Sequence, residues 1–463
     1  MQIHHFINGE FISSENTFQK LNPFNQNILS TVSNANTLNI IKSVQAGQLA
    51  FYEWKDSTLV DRLGWLQKIK TEYVNFKNEI TISEATDQGL SLQFTEHSNF
   101  KIGLQIIDRL LIEINQQLES TEKNIIYTPA GLISVILSWN LSNRLFIERV
   151  LAAVMAGNTV IVKCSSAAPN TGNIWAQILK KINFPKGVIQ IIYSNEQIVK
   201  DLLVTHPSIR AISFAGNLKN GSDILKKSSL LSHNHFKKIQ ISCGGKNPAI
   251  VISEPDENMT ADVLNSFMSG QGQLAWNSSR LFILEKHADL WKDLLNQYLQ
   301  NMKPLENIEQ DSVWSPMIKK SSINLFNDIQ SLAKSDQAKL IFSNHIEHVP
   351  ENYLTPTFTK DMSNCSTLQQ DQVTAPLFII SEVKYPFDIP KYSNVSYYGF
   401  GASLWSEQGM GQKIVDQLDV GHVSQNKWFI YNSEPIRAVK QSSFGIQDYR
   451  IFGDFFSNAK ILS

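Results

Sequence analysis

Apolar residues set two different rhythms along this chain. In the first third they recur every three or four positions: Leu59, Leu63, Leu66, Tyr73 and Phe76 fall on one helical face, and residues 38–54 behave similarly. Past residue 130 the rhythm changes. Short β-branched runs at 132–137 (LISVIL) and 159–162 (TVIV) predict buried strands, and 147–156 between them predicts a helix that stops at Gly157 and Asn158. That order is a βαβ unit. Strands are predicted again at 188–192, 209–214 and 249–252, with helices at 222–231 and 261–268. Apolar strands alternating with helices predict an α/β fold with a mostly parallel, twisted sheet covered on both faces.

Length and charge narrow the picture. A chain of 463 residues is too long for one simple core and predicts two or three packed units. Lys plus Arg number 41 against 42 Asp plus Glu, a net charge of -1 with no basic block, which speaks against nucleic acid or an anionic membrane as partner. The longest apolar stretch, 130–141, contains Ser134, Ser138 and Asn140, and residues 1–12 lack a basic region followed by an apolar one. No signal peptide or membrane span is predicted, and a cytoplasmic location is expected. Three cysteines, Cys164, Cys243 and Cys365, show neither metal-ligand spacing nor a disulfide pattern, and the ten histidines form no ligand constellation. No metal site is expected.

Short motifs then accumulate in a fixed order: FINGEF near the start, DQG at 87–89, SWN at 138–140, AGNT at 156–159, FAG at 214–216, GGKNP at 244–248, Gly272-Gln273, Ser279-Arg280 and Tyr398-Gly399. Together they resemble the aldehyde dehydrogenase superfamily over nearly the whole chain, nearest the aminomuconate and hydroxymuconate semialdehyde branch. The resemblance implies a Rossmann-type nucleotide-binding domain from 1–119 and 129–243, and an α/β catalytic-type domain from 244–430. A β-flap at 120–128 and a tail at 431–463 would serve oligomerisation.

Aldehyde oxidation needs a thiolate nucleophile and a base that activates water, both converging on one carbon. The family places its cysteine two residues after the Gly-Gln pair and ahead of the Ser-Arg pair. That position is Ala275, and no cysteine lies between 265 and 284. The base, a glutamate two residues before Gly-Gly-Lys, falls at Ser242. A methyl group and an unactivated hydroxyl replace both functions. The clamp on the nicotinamide ribose falls at Gln372 and Thr374, and the family's C-terminal proline, paired glycines and lysine fall at Ile436, Ala438, Val439 and Gln441.

Other features resemble the family more closely. Asn140 matches the side-chain donor that stabilises an oxyanion, against the alternative of a turn residue capping the next helix. Lys163 matches the lysine on the adenosine ribose, against the alternative of a solvated strand end. Gly216 and Asn217 precede a helix whose first amides suit a pyrophosphate. Ser166 stands where a carboxylate would repel a 2′-phosphate, which leaves room for NADP beside NAD. Cys243 reads either as a relocated nucleophile or as an inert buried thiol. Three functions fit these residues: a catalytically inactive member acting as an assembly or regulatory subunit, an active NAD(P)-dependent oxidoreductase with altered chemistry, and a dinucleotide-binding module. Weak or absent binding of NADP or NAD is expected, with a homo-oligomer, dimer or tetramer, and an intact aldehyde dehydrogenase as a further partner.

Overall fold

The computed structural model describes residues 1–463 except 121–123, 231–235, 336–337, 344–348, 350, 361, 408, 429–433, 435–436 and 463. Two sheets dominate. The first has eight strands, in spatial order Ser443–Gly445, Lys238–Cys243, Ile209–Gly216, Leu132–Ile136, Thr159–Cys164, Ile189–Tyr193, His5–Ile7 and Glu10–Ile12. The five from Lys238–Cys243 to Ile189–Tyr193 are mutually parallel. Three of them, Leu132–Ile136, Thr159–Cys164 and Ile189–Tyr193, are buried at every residue, and the period of two sorts the side chains. Val160 and Val162 enter one core, while Ile161 enters the core on the other side.

Among the parallel strands the chain begins at the central Leu132–Ile136, steps outward to Ile189–Tyr193, then crosses to the opposite flank at Ile209–Gly216. Such a reversal opens a crevice at the carboxyl ends of the strands. The second sheet, in order Lys339–Ser343, Thr357–Lys360, Leu377–Val383, Ser278–Leu284, Asn247–Val251, Ala402–Trp405 and Val423–Gln425, is parallel except at its first edge. It too is covered on both sides, with Ala249 and Val251 in one cluster and Ile250 and Ile252 in the other.

Differences from the sequence expectation have local causes. Five short strands at Gln2–Ile3, His5–Ile7, Glu10–Ile12, Thr17–Leu21 and Ile28–Ser33 precede the first helix, Thr37–Trp54. Their two- to six-residue lengths are too brief to register in a helical window, and pairing decides them: Phe6 sits opposite Ile191. The helix expected at 147–156 opens with a π-helical turn, Ile147–Leu151, before Ala152–Met155. The tail strand Ser457–Ile461 pairs antiparallel with Ile125–Pro129. Among the described residues no helix is long and apolar enough to cross a membrane.

Candidate functional site

A cleft of about 580 Å³ lies at the carboxyl ends of the first sheet and reaches the loop that leads into Ser278–Leu284 of the second sheet. Leu137, Lys163, Gly216, Ser242, Gln273, Ala275 and Gln372 all line it. Asn140, Ser166 and Asn217 border the same crevice, whereas Val439 and Gln441 are not part of its lining.

The loop before Ser278–Leu284 holds position 275 rigidly. Gly270, Gln271 and Gly272 take left-handed backbone conformations, at φ of 60°, 56° and 71°. Gln271 does so without a glycine's freedom, at a cost its surroundings must cover. Asn277 Oδ1 accepts from Leu274 N at 2.7 Å, and its Nδ2 donates to Ser266 and Ser269 carbonyls at 2.9 and 3.0 Å. Asn247 Nδ2 donates to the carbonyls of Ala275 and Asn277 at 3.0 and 2.9 Å. This frame presents the half-buried methyl of Ala275 to the cleft. Asn140 faces the same loop, with Nδ2 donating to the Gln273 carbonyl at 3.3 Å and Oδ1 accepting from Ser138 Oγ at 2.8 Å. It does not cap the following helix. Leu141, in the left-handed region at φ 54°, stands at that cap and makes no side-chain bond.

Ser242 sits near the end of Lys238–Cys243. Its Oγ accepts from Arg149 Nη2 at 2.9 Å, lies 2.9 Å from the Tyr449 hydroxyl and reaches Gln447 Oε1 at 3.4 Å. Cys243 beside it is buried, and burial pushes its thiol up to about 11, the opposite of an activated nucleophile.

Lys163 is 6 % exposed, so it is not a solvated strand end. Its Nζ donates to the Cys164 carbonyl at 3.3 Å, and burial, with Lys200 and Lys319 nearby, lowers its pKa to about 8. Asn217 Oδ1 accepts from Asn220 N at 2.9 Å and so caps the helix Leu218–Leu230. Thr374 and Ala438 also line the cleft, whereas Ile436 lies outside the described residues.

Sequence reasoning passed over Arg149, Lys200, Lys319, Gln447 and Tyr449, all of which border the cleft. Arg149 carried a signal, since Glu148-Arg149 interrupts an otherwise apolar run from 145 to 156. Gln447 and Tyr449 belong to a non-repeating loop with no such mark. Among the described lining residues there are four cations and no Asp or Glu. This charge distribution suits the phosphates of a dinucleotide. The corner at Gln372 and Thr374 offers no carboxylate to a nicotinamide ribose.

A model of the aldehyde dehydrogenase family matches residues 11–462. A putative aldehyde dehydrogenase from Staphylococcus haemolyticus is 25% identical over 97% of this chain and 95% of its own length. The 2-aminomuconic semialdehyde dehydrogenase of Danio rerio is 23% identical over 99% of this chain and 97% of its own. Among solved structures, an aldehyde dehydrogenase from Bacillus cereus in complex with NAD+ superposes with a TM-score of 0.91 at 21% identity, over 100% of this chain and 96% of that one. Betaine aldehyde dehydrogenase from Staphylococcus aureus, also in complex with NAD+, gives a TM-score of 0.90 at 20% identity, over 99% and 94% of the two chains.

Proposed function

Since the chain belongs to the aldehyde dehydrogenase family, we propose that it is a member without dehydrogenase activity, acting as an assembly or regulatory subunit. One observation carries this reading: Ala275 and Ser242, at the positions of nucleophile and base, border the same cleft with no reactive thiol or carboxylate beside them. Catalysis requires both groups at one carbon, and a positioned general base alone contributes about 10²–10⁴-fold. The backbone around position 275 is nevertheless tied down by the side chains of Asn247 and Asn277. Such a site is built but lacks its reacting atoms.

Weak dinucleotide binding through the adenosine half belongs to the same proposal. Lys163, the neighbouring Lys200 and the carboxylate-free rim at Ser166 support it, with NADP held at least as well as NAD. Missing clamp contacts at Gln372 and Thr374 keep affinity low, because tight binding needs both halves. We extend the proposal to a division into nucleotide-binding segments at 1–119 and 129–243, a catalytic-type segment at 244–430, and a flap with tail at 120–128 and 431–463. The paired strands Ile125–Pro129 and Ser457–Ile461 support an assembly role for the last. They leave Ile125, Ile126, Ile461 and Leu462 exposed, an apolar edge that favours a second subunit, either a copy of this chain or an intact relative. The test is turnover with a panel of aldehydes and both nucleotides. Oxidation by the wild-type protein above a heat-killed control would sink the reading.

A further inference from the structure

Arg149 points from the turn Ile147–Leu151 toward the end of Lys238–Cys243 and is only 1 % exposed. Its partners are all uncharged. Nη1 donates to Ser213 Oγ at 2.9 Å, and Nη2 donates to Ser242 Oγ at 2.9 Å and to the Tyr449 hydroxyl at 3.3 Å. The guanidinium carbon lies 5.3 Å from the centre of the Tyr449 ring. Nε has no hydrogen-bond partner. Glu148 is close enough for its charge to act on Tyr449, yet among the described residues no carboxylate forms an ion pair with Arg149.

A buried cation with no carboxylate in direct contact has lost hydration worth several kcal/mol. Three neutral oxygens replace part of it. The hydrogen-bond directions show what would replace the rest: a hydroxyl that accepts from a guanidinium keeps its own proton to donate. Ser242 and Tyr449 share one proton between oxygens 2.9 Å apart, and the other is left with Gln447 Oε1, at 3.4 Å from Ser242 and 3.2 Å from Tyr449. Those separations are long for bonds donated by a hydroxyl. An anionic oxygen entering from the cleft is a better acceptor than this amide, and it supplies the missing charge.

Position distinguishes this corner from the dinucleotide phosphates. Lys238–Cys243 and Thr159–Cys164 are three strand spacings apart, roughly 14 Å, so the Arg149 corner and Lys163 address different ends of the cleft. The cleft walls include Leu145, one helical turn before Arg149, together with Trp139, Trp276 and Phe400. We propose that Arg149, Ser242 and Tyr449 form the head-group site for a small organic carboxylate, whose apolar body lies against Trp139, Trp276 and Phe400. Inorganic phosphate has the charge but no apolar part to occupy those walls.

The inference rests on the reading that position 242 supplies no base, and its test is separable from that reading because it measures heat instead of turnover. The full-length protein is titrated calorimetrically with benzoate, butyrate and inorganic phosphate in the absence of dinucleotide. Saturable binding of benzoate and butyrate, not displaced by phosphate, is expected. Arg149→Gln should weaken benzoate at least about tenfold, the loss expected for a charge-assisted hydrogen bond. Should that variant fold poorly, Ser242→Glu places an internal carboxylate beside Arg149 and should weaken benzoate to the same degree. The carboxylate site is overturned by the absence of saturable benzoate and butyrate binding, by unchanged affinity in Ser242→Glu, or by stoichiometric displacement of benzoate by phosphate. Aldehyde oxidation together with benzoate binding supports this site while removing the inactive reading. No turnover and no benzoate binding removes this site alone.

Discussion

Restoring the thiol alone should give a protein that acylates once and stops. Ala275→Cys adds one atom at a half-buried, cleft-facing position whose backbone is already fixed by Asn247 and Asn277, so it requires no rearrangement. With an activated acetyl ester, the thiolate bonds to the carbonyl carbon, the alcohol leaves with its electron pair, and a thioester remains on residue 275. Hydrolysis then needs a base for water. Ser242 cannot act as one, because its oxygen accepts from Arg149 and its other contacts run to Tyr449 and Gln447. Loss of a positioned base slows such a step about 10²–10⁴-fold, which is about 3–5 kcal/mol of barrier. The expected result is a burst of one equivalent of alcohol, a plateau, and an acetyl adduct visible by intact-mass spectrometry. Adding Ser242→Glu should recover only part of the loss. Arg149 stands within hydrogen-bond distance of that position, and an adjacent cation lowers a carboxyl pKa by about 1–3, which weakens the carboxylate as a base. Sustained turnover by Ala275→Cys alone, within about tenfold of the double variant, would refute this reasoning.

Five further outcomes are expected. Lys163→Ala should weaken NADP and NAD at least about tenfold by calorimetry, and Ser166→Glu should penalise NADP selectively through repulsion of its 2′-phosphate; equal losses for both nucleotides in the second variant would count against the ribose assignment. Because burial lowers Lys163 to about 8 and an anionic ligand favours its protonated form, nucleotide affinity should hold below pH 8 and fall as pH rises through it; a profile flat to pH 9.5 would exclude that lysine. Under native conditions iodoacetamide should label the exposed Cys365 and spare Cys164 and Cys243, both buried and pushed up to about 12 and 11; rapid labelling of Cys243 would reopen its nucleophile role. Light scattering after size exclusion should give at least a dimer, and deletion of 455–463 should dissociate or precipitate it; a soluble monomer before and after truncation would remove the flap and tail as an interface.

How much of this was legible in the sequence depends on the length scale of each signal. The parallel strands were legible because LISVIL and TVIV are buried on both faces, and burial on both faces leaves an uninterrupted apolar run. The short strands His5–Ile7 and Glu10–Ile12 were not, since three residues carry no period, and the pairing of His5–Ile7 with Ile189–Tyr193 spans more than 180 positions. Ala275 and Ser242 could be placed because fixed motifs flank them without gaps. Arg149 could not be assigned a role in the same way. Its meaning depends on Ser213, Ser242 and Tyr449, which lie 64, 93 and 300 residues away in the chain. Sequence reports what a residue is; only the fold reports which partners a buried charge has found.

Turnover and binding make unequal demands on a cleft, and the proposed inactive reading turns on that difference. Turnover needs two specific atoms, a sulfur and a carboxylate oxygen, within bonding reach of one carbon, and replacing either group removes the function without disturbing its neighbours. Binding needs charge of the right sign, walls, and a rigid frame, each supplied by many residues at once. Asn277 alone ties the loop at four carbonyl and amide groups, and its loss would leave buried backbone groups unsatisfied, at about 1–3 kcal/mol for each. No comparable cost attaches to a methyl at 275 or a hydroxyl at 242. Substitutions at the chemical centre are therefore the ones a family fold tolerates most easily, and they leave behind a stable cleft lined by cations. Under the proposed reading, those cations are what would let a subunit respond to an anionic ligand without transforming it.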